Sequence, residues 1–201
     1  MANLCDNSLE IIGAANDIID FFNKGIKTAN EKVTSLEYEA QEKKMGTYKI
    51  INSVDDLKNL DSCDVPYLSA WLPMPGDLIE KHKQDNSNEE WFDWANDNWG
   101  VKWDSEVEMF DVTEEDGDLR VSLFYQTAWN GNCEWLINVG QEFPELTFIL
   151  NAYDPDEDEY WGCKVEKGEV DDEYYDEEWL ENMREGDEDD WDDEDEDEDE
   201  D

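Results

Sequence analysis

The acidic C-terminus constrains this 201-residue chain more than any other feature, because it separates what can fold from what cannot. Residues 187–201 are Asp or Glu at every position except Trp191. The wider stretch 171–201 has 22 carboxylates against one base, Arg184, and so carries 21 of the chain's 45 net negative charges. Such a segment buries too little apolar surface to offset the entropy of ordering it. We therefore predict a folded domain over 1–168 and an acidic, disordered tail over 169–201.

The rest of the chain is long enough for one domain with a core. It has neither a long apolar run nor the basic and apolar regions of a signal peptide, so we predict a cytoplasmic protein. A zinc site is not expected, because the cysteines are widely spaced and His82 is the only histidine. We predict no metal or cofactor, and buried, reduced thiols. The four cysteines are Cys5, Cys63, Cys133 and Cys163.

The first half of the chain has one clear strand and one clear helix. Residues 8–13 alternate as in a strand, and an apolar face at helical spacing follows Asn16, which we expect to cap the helix. Residues 65–72 look extended and stop at the prolines of Pro73-Met74-Pro75, which lack the amide hydrogen that a ladder needs. The stretch 28–60 sustains neither pattern, and we treat it as a possible insertion.

The second half has stronger signals. A helix ends at Gly100, a suitable C-terminal cap, and another follows Asn132. The Asp116-Gly117 step predicts a tight turn between two antiparallel strands. Further strands are predicted over 146–152 and 161–165. This order of elements predicts an α+β protein, with helices on one face of a mostly antiparallel, ferredoxin-like sheet.

Several short motifs together resemble the YubB ferredoxin-like family of plasmid and phage proteins, over about residues 1–165. The resemblance implies a ferredoxin-like fold and a plasmid or phage origin, and hence a place in the host cytoplasm. It supplies no catalytic or binding residue, and 28–60 and the acidic tail look like additions to the family pattern. The motifs are Asn3, Cys5, Asn7 and Leu9, Pro73-Met74-Pro75, Trp91-Phe92-Asp93-Trp94, residues 98–104, Thr127-Ala128-Trp129, and residues 143–148.

An acidic cluster near the end of the predicted domain resembles part of a calcium loop. Asp154, Asp156 and Asp158 match the first three ligand positions. The sixth position is Glu159 instead of glycine, however, and the twelfth is Val165 instead of glutamate. We therefore predict an acidic hairpin turn.

A cluster of tryptophans allows two interpretations. Indole faces can stack nucleobases. Such a platform also needs basic residues that bind the phosphates, and only Lys102 is close. Tryptophans at helical spacing beside a glycine cap usually fill a core, and we favour that interpretation. The cluster comprises Trp91, Trp94, Trp99 and Trp103.

Catalysis is not expected. Two carboxylate pairs, Glu106 with Glu108 and Asp93 with Asp97, have spacings that suit acid–base chemistry. In a chain with 59 acidic residues such pairs arise by chance. The sequence contains no Ser/His/acid arrangement and no glycine-rich phosphate loop, so we predict that the protein is not an enzyme.

The net charge of −45 decides which partners are possible. It repels nucleic acid and anionic membranes and attracts basic proteins, so we expect neither direct nucleic-acid binding nor membrane binding. One hypothesis is a phage or plasmid accessory protein whose carboxylates imitate the phosphates of DNA, and which thereby binds and inhibits a host nucleic-acid-binding or defence protein. The alternative is a non-catalytic ferredoxin-like interaction module whose acidic tail is only solubilising.

Partner binding is predicted in the acidic tail. Aromatic and apolar residues interleaved with the carboxylates supply anchors, on a helix that forms on contact, since Trp179 and Met183 are four residues apart. The predicted partner-binding residues are Asp171, Asp172, Glu173, Tyr174, Tyr175, Asp176, Glu177, Glu178, Trp179, Asp187, Glu188, Asp189, Asp190, Trp191, Asp192 and Asp193.

Overall fold

The computed structural model describes residues 3–32, 34, 36, 48–87 and 89–186. Within these ranges no helix is both long and apolar enough to cross a membrane. The helices are α1 (Ala15–Glu31), α2 (Val54–Lys58), α3 (Gly76–Gln84), α4 (Glu90–Trp99), α5 (Cys133–Gly140) and α6 (Glu177–Gly186). The strands are β1 (Leu4–Gly13), β2 (Met109–Glu115), β3 (Asp118–Ala128), β4 (Thr147–Asp154), β5 (Glu159–Glu166) and β6 (Glu169–Asp171).

The strands form one six-stranded antiparallel sheet in the order β2-β3-β1-β4-β5-β6. The chain passes from β1 through α1 to β2, leaving room for β3 between them. It then passes from β3 through α5 to β4, on the other side of β1. These two interleaved β-α-β units define the ferredoxin-like fold, which confirms the prediction. The strands β5 and β6 extend the sheet beyond β4.

The two faces of the sheet differ in what they carry. Leu9 on β1 lies beside Leu123 and Leu150, and all three are buried on the side of α1 and α5, which we call the helix face. The next residue, Glu10, lies beside Ser122 and Ile149 on the opposite side, which we call the open face. The period of two along each strand thus separates an apolar face from a mixed one.

Aromatic side chains pack the core of the helix face. The Trp71 ring stacks on Phe21 of α1, with centroids 5.0 Å apart, and its indole N–H donates to the Phe21 carbonyl at 2.9 Å. Gly25 makes this approach possible, because a Cβ at that position would lie 2.5 Å from the Trp71 ring. The segment before α3 is therefore part of the core.

Part of the predicted insertion over 28–60 also belongs to the core. The Asn23 side chain holds the backbone of Ile51 in both directions, donating to its carbonyl at 2.8 Å and accepting from its N–H at 2.9 Å. Ile51 and Leu57 are buried. Residues 33, 35 and 37–47 lie outside the described residues.

Two local predictions were wrong. Ala14, not Asn16, occupies the N-cap of α1. Residues 65–72 form no strand but include a 3₁₀ turn at Leu68–Ala70, because their polar backbone groups bond to side chains, as when the Trp135 indole N–H donates to the Leu68 carbonyl at 2.9 Å.

The predicted cap at Gly100 and the predicted turn at Asp116-Gly117 were confirmed. Gly100 ends α4 with φ of 74°, a conformation that favours glycine. Asp116 and Gly117 connect β2 to β3 with φ of 54° and 95°, as a two-residue hairpin turn requires.

The cysteines divide between the interior and the surface. Cys5 and Cys163 are buried as predicted, whereas Cys133 is half-buried and Cys63 is exposed. Burial raises the pKa of the Cys5 thiol to about 12, so this thiol stays protonated at neutral pH.

Candidate interaction surface

The first part of the predicted acidic tail folds onto the open face. Residues 169–171 form β6, which pairs with β5, and residues 177–186 form α6. The predicted domain boundary at 168 therefore lies too early, because β6 and α6 follow it. The physical reason is that a few apolar residues interrupt the carboxylates, and one of them, Leu180, is buried to 3% exposure. Residues 187–201 lie outside the described residues.

Asp176 starts α6. Its side-chain oxygen accepts the Trp179 N–H at 2.9 Å, which is the hydrogen bond of an N-cap. Its own N–H donates to the Tyr160 hydroxyl on β5 at 3.0 Å, so the cap is tied to the sheet. Glu177 and Glu178 follow in the first turn, where the helix dipole favours negative charge.

Aromatic side chains hold the N-terminal half of α6. The Tyr160 ring lies 5.1 Å from the ring of Tyr175 and 6.1 Å from that of Trp179, between centroids. The Tyr160 hydroxyl donates to the Asn151 side chain at 2.6 Å. Burial raises the pKa of Tyr160 to about 12, which keeps that hydrogen-bond donor protonated. Two predicted partner anchors, Tyr175 and Trp179, thus contact the protein's own sheet.

An ion pair holds the C-terminal half of α6. The Arg184 Nε donates to Asp158 Oδ1 at 2.8 Å, and the guanidinium lies 6.0 Å from the centre of the Tyr153 ring. Tyr153 donates its hydroxyl to the same Asp158 oxygen at 3.0 Å. The bond from Arg184, aided by Tyr153, lowers the pKa of Asp158 below its usual range. The helix is therefore attached to the sheet at both ends.

Most carboxylates of this segment point to solvent. We call the exposed acidic residues of 156–159, 171–173 and α6 the acidic surface. Among the predicted partner-binding residues, those exposed are Asp171, Asp172, Glu173, Tyr175, Glu177 and Glu178, those half-buried are Tyr174, Asp176 and Trp179, and Asp187, Glu188, Asp189, Asp190, Trp191, Asp192 and Asp193 lie outside the described residues.

The β4–β5 turn contributes to the acidic surface and confirms the predicted hairpin. Asp154 is buried, and its Oδ1 accepts the N–H groups of Asp156 at 2.9 Å and Glu157 at 3.3 Å. Asp158 instead faces Tyr153 and Arg184. Asp154 therefore bonds to the backbone of the turn, whereas Asp158 bonds to two side chains. In the described ranges no group of three or more His, Cys, Asp or Glu is arranged to hold a metal ion.

On the rest of the body, bases and carboxylates are mixed. Lys24 pairs with Glu142, for example, and Arg120 pairs with Glu10 at 2.5 Å. Further pairs are Lys58 with Glu114, Lys81 with Glu90, and Lys83 with Glu80. Exposed pairs of this kind stabilise little, but each places a positive side chain beside a carboxylate.

The tryptophan cluster was predicted to fill the core, but its members differ in burial. Trp99 is buried and Trp91, Trp94 and Trp103 are half-buried. Trp103 lies beside Trp129, with centroids 5.6 Å apart, and the Trp129 ring is 42% exposed. We call Trp103 and Trp129 the tryptophan platform. Sequence reasoning missed it because Trp129 follows a strand, outside the helical spacing of the other tryptophans.

Fold and surface together define a ferredoxin-like α+β protein with an acidic C-terminal surface. Neither a family model nor a curated protein matches the chain. It is similar to the crystal structure of a protein, api92, from Yersinia pseudotuberculosis, of the family model DUF1281. That similarity covers 88% of this chain and 99% of the other at 8% identity, with a TM-score of 0.39. The resemblance to the YubB family stays a prediction.

Proposed function

We propose that this protein is a polyanionic mimic of DNA, which binds and inhibits a host nucleic-acid-binding or defence protein through the acidic surface. The observation that supports this most is the docking of α6: the buried Leu180 and the Arg184–Asp158 pair attach an acidic helix to the sheet in a fixed orientation. Carboxylates held in place lose less entropy when a partner binds than carboxylates on a free chain.

The charge density of α6 suits this role. Glu177, Glu178 and Glu181 lie on one side of the helix, since residues three and four apart share a face. They lie within five residues, or about 7.5 Å of helix axis. This gives about one negative charge per 2.5 Å, of the same order as the roughly one charge per 1.7 Å of duplex DNA. A basic cleft that binds DNA would therefore meet a similar linear charge.

The partner in this proposal is a basic protein, not nucleic acid. The net charge of −45 attracts basic surfaces over the range of a Debye length and repels phosphates. A plasmid or phage origin, which the YubB resemblance implies, would make a host DNA-binding or defence protein the target. Binding would release the counterions held by the acidic surface, so affinity should fall steeply with salt.

Capture from a bacterial lysate tests the proposal. Full-length protein is immobilised, and the bound fraction is challenged with duplex DNA at fixed moderate salt. We expect DNA to release one or a few DNA-binding proteins. If nothing bound can be displaced by DNA, the proposal is wrong.

Two matched variants locate the binding surface. Glu177→Gln/Glu178→Gln/Glu181→Gln removes three charges from α6, and Glu31→Gln/Glu108→Gln/Glu145→Gln removes three exposed charges elsewhere. Both change the net charge equally. We expect the α6 variant to capture much less of the DNA-displaceable protein than the control variant. Equal capture by the two would mean that only total charge matters.

The mixed ion pairs on the body favour a second candidate, the interaction module with a solubilising tail. Pairs such as Lys24–Glu142 and Arg120–Glu10 make the body unlike a continuous array of phosphates. This candidate predicts capture of a partner that neither DNA nor the α6 variant affects. The same experiment therefore separates the two.

A further inference from the structure

We propose that the tryptophan platform is a docking site for an arginine side chain of a basic protein partner. Lys102 shows that the site accepts a cation. Its Nζ lies 4.9 Å from the centre of the Trp103 ring and 5.2 Å from that of Trp129, with Phe92 at 5.9 Å. All three distances are within the roughly 6 Å over which a ring attracts a cation.

The rings, not a carboxylate, hold the charge of Lys102. Lys24, Lys81 and Arg120 each pair with a carboxylate. Lys102 has no such pair with any carboxylate of the described ranges, although the protein is strongly acidic. In this structure the flexible lysine side chain occupies the position that a partner's cation would take.

The backbone keeps Trp129 exposed. Its φ is 68°, in the left-handed region that bulky residues rarely adopt. Its N–H donates to the Asn3 carbonyl at 3.0 Å, and the Thr127 hydroxyl donates to the Asn130 carbonyl at 2.6 Å, so both sides of the residue are fixed. Core packing does not explain this conformation, since the ring is 42% exposed.

The platform adjoins the acidic surface. Asn3 contacts Trp129 through its carbonyl and Glu157 of the β4–β5 turn through its side chain, at 3.4 Å. Asn3 thus links the backbone of Trp129 to one carboxylate of the acidic surface. Arginine fits better than lysine, because its planar, weakly hydrated group stacks flat on an aromatic ring while its N–H groups reach neighbouring acceptors.

This inference rests on the proposed function in one respect: the platform and the acidic surface would contact the same basic partner. The acidic surface supplies long-range attraction, and the platform supplies a short-range contact that survives at higher salt. The platform can nevertheless be tested without that partner.

The test is ¹⁹F NMR of full-length protein labelled with 5-fluorotryptophan, titrated with hexa-arginine and hexa-lysine peptides at a salt concentration that screens the acidic tail. Resonances are assigned with single Trp→Phe variants. We expect saturable shifts of Trp103 and Trp129, at lower concentrations of hexa-arginine than of hexa-lysine. Shifts confined to Trp179 and Trp191 would overturn the proposal, because the peptide would then bind only the tail.

Variants sharpen the test. Trp129→Ala should weaken hexa-arginine binding by roughly threefold or more, as expected for loss of one cation–π contact. Lys102→Met, which removes the resident cation and leaves the rings, should strengthen it. Unchanged affinity in both variants would overturn the proposal. The melting temperature of each variant verifies that it is folded.

The two proposals can fail separately. If Trp103 and Trp129 shift with hexa-arginine but DNA displaces no captured protein, the DNA-mimic function is wrong and the arginine site stands. If DNA displaces a partner but the Trp103 and Trp129 resonances do not shift, the arginine site is wrong and the DNA-mimic function stands.

Discussion

The two faces of one sheet show two ways in which this chain orders itself. On the helix face, α1, α5 and the segment around Trp71 bury a continuous apolar core. On the open face, α6 is attached by one buried leucine, an aromatic cluster and an ion pair. A strongly acidic segment can therefore be ordered when a few apolar residues occur at helical spacing and a folded face is available. We expect the helix face to govern global stability and the open face to govern local opening.

The largest effect should come from the helix face. Trp71→Ala removes a buried stacked ring and should lower the free energy of unfolding by about 3–5 kcal/mol. The measurement is urea denaturation. The matched change on the open face, Trp179→Ala, removes a half-buried ring from α6 and should cost clearly less. Equal costs would show that the two faces are not energetically distinct.

Leu180→Asp should release α6 without unfolding the sheet. Burying a carboxylate against the open face is unfavourable, and truncating a buried leucine alone costs about 2–5 kcal/mol. Because α6 contributes no residue to the main core cluster, we expect faster amide exchange over 177–184, read by mass spectrometry, with β1 and β3 unchanged. The exposed Glu181→Ala is the control. Loss of protection in β1 as well would make α6 part of the global core.

Gly25→Ala should lower the free energy of unfolding by a smaller amount. The new methyl would lie 2.5 Å from the Trp71 ring, and overpacking of this kind costs about 1–3 kcal/mol. Gly76→Ala, in the first turn of α3, meets no atom within 4 Å and should be neutral or slightly stabilising, because alanine favours the helix. A neutral Gly25→Ala would mean that the core around Trp71 is loosely packed.

The smallest effect should come from the Arg184–Asp158 pair, and it depends on pH. Because the pKa of Asp158 is lowered in the folded state, its contribution is present above the ordinary carboxyl pKa of about 3.9 and is lost as pH falls below it. The fluorine resonance of Trp179 should report partial release of α6 in that range. Asp158→Asn should release it partly at neutral pH, whereas Glu173→Gln should not. Identical titrations in both variants would contradict this role for Asp158.

The ferredoxin-like core was predictable because local signals agreed with the final topology. Alternation in β1 and β4, the Asp116-Gly117 turn and the Gly100 cap each required one conformation, and the structure has all of them. The segment 65–72 was mispredicted because an apolar run fits a strand and a buried turn equally well. Only tertiary contacts, such as the Trp135 bond to the Leu68 carbonyl, distinguish the two.

The candidate site was only partly predictable, because the composition of a segment gives its charge but not the contacts that its residues make. The sequence identified the acidic residues 171–179 and the helical spacing of Trp179 and Met183. It assigned that helix to an external partner, because composition does not reveal that the sheet itself offers Tyr160 and Asp158 as contacts. Trp129 belongs to the Thr127-Ala128-Trp129 motif, but neither that motif nor its position after a strand reveals the exposure and the positive φ that the structure shows.

The most direct test of the central claim, that the acidic surface substitutes for DNA, is an equilibrium competition. The apparent Kd between the full-length protein and its captured partner is measured at increasing concentrations of duplex DNA. The claim predicts an apparent Kd that rises in proportion to DNA, together with a weaker complex for the α6 triple variant than for the matched control variant. An apparent Kd that stays constant as DNA is added would contradict it.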